Sequence, residues 1–251
     1  MLPYFGLTTV SLLGIPVQVW GTLVALGYGV GTYVAWRRAK QKGLDPNAVL
    51  DLAFWIFIAA FVGSRLFHVL AYNPGYYLAH PLQALDPRTP GYAIFGGFVG
   101  AALVFAWTVY RKKLAFFEYA DVLIWGLPLG CGIGRIGCFL IHDHPGTLTN
   151  FMLGVRYPDG QTRHDLGLYL SLLGFATALL FFWLNRKPRQ PGFWLGVYML
   201  IEGVSRICLD FFRIQDARYL GFTPTQYLSL PLVALGIWCI SHSSRMVKSS
   251  S

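Results

Sequence analysis

Charge is what this chain has least of. Asp, Glu, Lys and Arg supply 12% of its 251 residues, about half the share of an ordinary soluble domain, and so small a share excludes a water-facing surface over most of the fold. Acidic residues are the scarcer kind, 11 against 20 Lys and Arg, for a formal net charge of +9. In a soluble protein that excess would suggest nucleic acid. Here no nucleic-acid motif, glycine-rich phosphate loop, nucleotide fingerprint or zinc-finger spacing accompanies the basic residues, and no nucleic-acid partner is expected. Cysteine is sparse as well. Cys131, Cys138, Cys208 and Cys239 lie in or near apolar segments without ligand spacing, which argues for buried free thiols and against a disulfide framework. No separate cleavable leader is expected, because the first long apolar run leads into further apolar runs rather than a polar mature domain.

Apolar length is what the chain has instead. Hydrophobic residues make up 55% and the mean hydropathy is +0.50. Apolar runs at about 15–36, 52–70, 92–110, from 121 into the 130s, 166–184, 192–209 and 227–240 predict an all-α, polytopic integral membrane protein. About seven transmembrane helices follow, in a single membrane-embedded domain over 1–251. Basic clusters follow the first run (Arg37, Arg38, Lys40, Lys42), the third (Arg111, Lys112, Lys113), the fifth (Arg186, Lys187, Arg189) and the last. By the positive-inside tendency that side is cytoplasmic. The expectation is a C-terminus in the cytoplasm and an N-terminus outside, with loops 72–91, 142–165 and 210–226 at the outer face. In a bacterial inner membrane, the site then faces the periplasm.

Chemistry concentrates in GCGIGRIGCFLIHDHPG, residues 130–146. Gly130, Gly132, Gly134 and Gly137 predict close backbone approach or an irregular break. Arg135, at the end of an apolar span, is costly unless paired, wet or holding an anion. His142, Asp143 and His144 offer a general base, His142 or His144, with Asp143 or Asp165 fixing the tautomer. Two other readings stay open: a solvated polar turn, or a metal site drawn from His142, His144, His164 and Asp165. No cofactor is required by the pattern. Arg65 and His68 share one helix face at i, i+3. Glu202, Arg206 and Asp210 form one stripe with Arg213 beyond it. That stripe is either an ionic ladder locking helices, or a set of carboxylates orienting an arginine for a lipid phosphate. Tyr72, Tyr76 and Tyr77 before His80 and Pro81 predict an aromatic loop at the membrane interface.

Several of these stretches together resemble the prolipoprotein diacylglyceryl transferase family. The signature run corresponds to Gly134, Arg135, Gly137, Phe139, Asp143 and Gly146. Further matches are GTLVALGYGVGTYVAWRRAKQKG, FVGSRLFHVLAYNPGYYLAHP, Gly96 and Gly97, Asp121, Arg163, His164, Leu168, Tyr169, Arg206 and Asp210 with FFRIQD, and TPTQYLSLPLVALG. The likeness covers roughly 17–236. It implies transfer of a diacylglyceryl group from phosphatidylglycerol, or a related anionic phospholipid, to the lipobox cysteine of a preprolipoprotein signal peptide. Glycerol 1-phosphate is released at the outer face of the inner membrane. By position it implies that Arg135 and Arg206 handle the phosphatidylglycerol head group and that Asp143 takes the place of the family glutamate. With the histidines offered as base, the expected catalytic set is Arg135, His142, Asp143, His144, Arg206 and Asp210. Arg65, His68, Gly96, Gly97, Arg163, His164, Glu202 and Arg213 would line the substrate. The family histidine before the paired glycines is Phe95 here, two family tyrosines are Trp20 and Glu202, and the signature asparagines are Cys138 and Ile141. A paralogue with another acceptor, a head-group hydrolase and a non-catalytic lipid-binding protein therefore remain open.

Overall fold

The computed structural model describes the backbone of residues 1–12, 14–71, 74–86, 91–214 and 218–248, with side chains for all of these except 71, 94, 95 and 244–248. Two units result, Met1–Arg38 with Ala120–Ser251, and Ala39–Tyr119. Helices dominate: α1 (Val19–Lys42), α2 (Pro46–Ala71), α3 (Pro74–Ala79), α4 (Pro81–Leu85), α5 (Ile94–Arg111), α6 (Phe116–Ile141), α7 (Leu166–Leu184), α8 (Phe193–Leu209) and α9 (Pro224–Lys248). The fold is not purely helical, however. Strands β1 (Leu2–Pro3), β4 (Pro145–Leu148), β5 (Val155–Arg156) and β6 (Thr162–Asp165) form one sheet in the order β1-β5-β6-β4, and β2 (Thr9–Leu12) pairs with β3 (Ile15–Gln18) in a hairpin. Ile15–Gln18, expected to open the first span, is thus strand. Gly14 makes the hairpin turn at φ +83°, a conformation that suits glycine.

The expectation of about seven transmembrane helices is corrected. Among the described residues three helices are long and apolar enough to cross a membrane: Pro46–Leu70 of α2, Phe116–Ile141 and Leu166–Leu184. In α1, Gly21, Gly27, Gly29 and Gly31 dilute the apolar half, and Arg37, Arg38, Lys40 and Lys42 occupy its end. Helix α8 has 17 residues and carries Glu202 and Arg206. Helix α9 opens on Thr225, Gln226 and Tyr227 and contains Pro231. With three such helices, the alternation that put the N-terminus outside and the C-terminus in the cytoplasm no longer follows.

In the first unit, the glycine ladder is a packing device. A Cβ added at Gly27 would lie 2.3 Å from the Gly130 carbonyl oxygen, one at Gly130 2.6 Å from that of Gly27, and one at Gly126 2.0 Å from that of Gly31. The backbones of α1 and α6 therefore touch, as small residues allow in membrane helices. On the next face, a Cβ at Gly174 of α7 would meet the Gly132 nitrogen at 2.7 Å. Helix α6 consequently runs unbroken for 26 residues, where a break was one expectation. Gly134 differs, because its Cβ would meet nothing closer than 3.7 Å. Gly130→Ala should therefore destabilise the protein by about 1–3 kcal/mol, whereas Gly134→Ala should be neutral or stabilising. Unfolding in detergent followed by circular dichroism compares them, and equal stability of the two variants would contradict the packing role. At the other end of α6, the buried Asp121 accepts from the amides of Gly192 (2.9 Å) and Leu195 (2.8 Å). It thereby caps the start of α8 from a neighbouring helix.

In the second unit, α2 packs against α5 through the same device. A Cβ at Gly96 would lie 2.1 Å from the Gly63 carbonyl oxygen, and one at Gly100 2.3 Å from that of Ala59. Buried Arg65 donates to the carbonyls of Gln83 (2.6 Å), Gly91 (2.9 Å) and Ala84 (3.0 Å). Its guanidinium thereby ties down the segment that holds α3 and α4.

Candidate functional site

The site is built at the C-terminal end of α6. Arg135 and Cys138 are three apart and share a face, and Arg135 Nη1 lies 3.7 Å from Cys138 Sγ. The helix ends at Ile141, and His142 follows with φ +53°, a left-handed conformation that costs a non-glycine residue roughly 1–2 kcal/mol. That reversal sends Asp143 and His144 back toward Cys138, and the three ligand-type atoms come within 4.8 Å of one another. The His144 ring bonds both the Asp143 carboxylate and Cys138. Those bonds, Asp143 first, push its pKa up to about 9, so the isolated imidazole is protonated at neutral pH.

His142 itself is a structural lock. Its side chain is fully buried, with Nδ1 2.7 Å from Asp165 Oδ2. Asp165 also accepts from the Tyr157 hydroxyl (3.2 Å) and caps α7 through the Leu168 amide (3.0 Å). Burial and the adjacent carboxylate push the Tyr157 phenol up, which keeps it a donor. Tyr4 stacks on the His142 ring at 4.5 Å, with Phe5 and Phe139 at 5.1 and 5.3 Å. Tyr4 is brought there by β1, whose Leu2 and Pro3 pair in parallel with Val155 and Arg156. His142 is therefore enclosed by aromatic rings from three stretches of chain.

The second arginine lies on α8. Arg206 Nε donates to Glu202 Oε1 at 2.8 Å, the i, i+4 pairing of the expected stripe. Asp210 follows at the C-cap of α8 with a helical backbone, within electrostatic reach of Arg206, where a short 3₁₀ turn, Asp210–Phe212, takes over. There Asp210, 1% exposed, pairs with Arg213 (3.1 Å) and accepts from the Thr223 hydroxyl at 2.7 Å. It fixes the chain between α8 and α9. Cys131 on α6 keeps an exposed surface, bonds the Tyr198 hydroxyl and lies within electrostatic reach of Glu202, Arg135 and Arg206. Arg135 on α6 and Arg206 on α8 thus both lie within electrostatic reach of Cys131. Among the described residues Arg135 has no carboxylate partner.

Other expected residues lie elsewhere. His164 bonds the Tyr169 hydroxyl through Nδ1 (2.7 Å) and packs on Phe212, and burial lowers its pKa. Arg163 pairs with Asp159 at 2.6 Å on the β5–β6 hairpin. The metal set His142, His144, His164 and Asp165 is therefore not assembled. His142 and Asp165 hold each other, and His164 turns to Tyr169. In the second unit, Arg65 is spent on carbonyls. Its neighbour His68 rests on Tyr77, with ring centroids 6.1 Å apart. Gly96 makes the α2–α5 approach, and a Cβ at Gly97 would lie 3.3 Å from the Ala60 oxygen. Sequence reasoning missed Cys138, Tyr157 and Tyr4 as parts of the site. Only Cys138 carried a signal, its place five residues before the Asp143–His144 pair.

The family model for prolipoprotein diacylglyceryl transferase matches residues 8–242. The chain is 32% identical over 249 residues to the phosphatidylglycerol–prolipoprotein diacylglyceryl transferase of Nitrosomonas europaea, covering 94% of this chain and 88% of that one. It is 32% identical over 254 residues to the protein of the same name from Pseudomonas fluorescens (94% and 93%), and 32% over 241 residues to that of Thermosynechococcus vestitus (92% and 90%). Together with the three apolar helices, these matches give the protein a membrane location. With a match that runs nearly from end to end, the chain belongs to the prolipoprotein diacylglyceryl transferase family.

Proposed function

We propose that this chain transfers a diacylglyceryl group from phosphatidylglycerol to the thiol of a lipobox cysteine in a preprolipoprotein, releasing glycerol 1-phosphate. The name shared by its relatives supports the reaction. The observation that carries it in this chain is that Arg135 and Arg206, on different helices, both lie within electrostatic reach of Cys131. Glu202 holds Arg206, while Arg135 is left for a phosphate. In the reaction the acceptor sulfur attacks the glyceryl carbon that bears the phosphate. The carbon–oxygen bond breaks, and its electron pair leaves on the phosphate oxygen. Guanidinium groups fixed beside that oxygen stabilise the charge as it develops, more than in the ground state.

The chain works as one membrane-embedded domain over 1–251, with the site toward the periplasmic or outer face. A signal peptide and anionic phospholipid are its partners. In this assignment Asp143, His144 and Cys138 handle the acceptor end, while Asp210, Arg213, Arg163, His164 and His142 position the surrounding backbone. Purified protein in phosphatidylglycerol membranes, with and without a lipobox peptide, tests the reading by mass spectrometry. A diacylglyceryl thioether on the peptide together with glycerol phosphate is expected. Glycerol phosphate released without peptide would indicate hydrolysis, and lipid binding without product a non-catalytic protein.

A further inference from the structure

The end of α6 suits a cation. Its last turn carries the negative end of the helix dipole, with the Leu140 carbonyl taking the Leu7 amide at 2.8 Å. At this end Cys138, Asp143 and His144 bring a sulfur, a carboxylate oxygen and an imidazole nitrogen within 4.8 Å of one another. Three protein ligands of these kinds with a fourth position open is the donor set of catalytic zinc sites. Bonds of about 2.0–2.3 Å to such an ion would put tetrahedral ligand atoms roughly 3.5 Å apart. To hold an ion at that spacing, the side chains of Asp143 and His144, now in direct contact, must rotate apart. The backbone is already set by the locked His142. The other histidines of this unit with described ring partners near the sheet are committed, His142 to Asp165 and His164 to Tyr169.

We propose that Cys138, Asp143 and His144 bind a zinc-class divalent cation whose open position takes the acceptor thiol as a thiolate. The role of the ion rests on the transferase reading, whereas its binding does not. On coordination the acceptor S–H gives its proton to water, and the sulfur keeps both electrons, since a metal-bound thiol is deprotonated outright. Its lone pair forms the carbon–sulfur bond as the carbon–oxygen bond breaks, and the oxygen's electron pair goes to the phosphate. That anion has Arg135 to meet it, 3.7 Å from the Cys138 sulfur, so nucleophile and leaving group are served one helical turn apart. The product thioether carries no charge, binds the ion weakly and leaves. A metal-held thiolate also explains how a chain with Phe95 in place of the family histidine obtains a nucleophile from a thiol that is mostly protonated at neutral pH.

The full-length protein, purified in detergent without chelators, is loaded with zinc and its metal counted by mass spectrometry; cobalt exchange then reports a sulfur ligand by its charge-transfer absorption. One ion per chain and a cobalt–sulfur band are expected. Cys138→Ala and His144→Ala should each weaken binding by at least about 100-fold, and Cys208→Ala should leave it unchanged. Monodisperse wild-type protein that takes up no stoichiometric ion overturns the site, as does ion binding indifferent to Cys138→Ala. Should those variants fail to fold, the wild-type spectrum decides, because bound cobalt without a sulfur band also overturns it. Activity separates the two readings. Thioether formed equally well by protein verified as metal-free removes the ion's role and leaves the transferase standing. Metal-loaded protein that forms no thioether removes the transferase reading and leaves the binding site.

Discussion

Arg135→Lys lowers thioether formation by about 100-fold at saturating lipid, a loss of roughly 2.7 kcal/mol of transition-state stabilisation. The charge is preserved, so the loss measures geometry. A guanidinium offers two parallel N–H groups to the oxygens of a leaving phosphate, whereas an ammonium offers a point charge on a flexible stem. Arg135 is poised for that use, because its described contact is the Cys138 sulfur rather than a carboxylate. Arg206 presents a contrast, since its Nε is already given to Glu202. Lysine there loses the orienting bond as well as the fork, and Arg206→Lys should raise the lipid KM together with lowering kcat. Steady-state kinetics with phosphatidylglycerol and a lipobox peptide reads both variants. Wild-type kcat in Arg135→Lys would remove Arg135 from the leaving-group site.

Much of this was legible in the sequence because it rests on local pattern. The run 166–184 coincides with α7, whose apolar residues are bounded by Asp165 as cap and Asn185 beyond. The membrane location follows from hydropathy, and the family from motifs spread along the chain. The seven crossings were not legible correctly, because apolar runs were read without the dilution that glycines bring to α1 or the charges that α8 carries. The ladder of Gly130, Gly132, Gly134 and Gly137 pointed equally to a broken helix and to close packing. Only the opposing Gly27, Gly31 and Gly174 decide for packing, and they are more than forty positions away or on another helix. The candidate site divides along the same line. Glu202 and Arg206 pair at i, i+4, a helical spacing that sequence displays. The partner of His142 is Asp165 across a β-hairpin and a sheet, and that of His164 is Tyr169. Which acidic or hydroxyl group meets which imidazole depends on where α6 stops. A left-handed histidine, unlike a glycine, gives no warning that the chain reverses there.

His142→Ala should destabilise the protein by about 3 kcal/mol, the cost of leaving a buried carboxylate without its partner. Asp165 would keep the Tyr157 hydroxyl and the Leu168 amide, but it would lose its shortest bond, and the cage of Tyr4, Phe5 and Phe139 would close on a cavity. Tyr157→Phe removes only a neutral donor from the same carboxylate and should cost about 1 kcal/mol. The ranking distinguishes a lock from a base. A histidine that only transfers protons could be replaced with a large loss of kcat and little change in unfolding. A histidine that holds the reversal after α6 lowers stability first, and activity falls because Asp143 and His144 no longer return to Cys138. Unfolding in detergent monitored by tryptophan fluorescence, run beside turnover, reads the two effects separately. An alanine variant with wild-type stability and no turnover would reassign His142 from the scaffold to the chemistry.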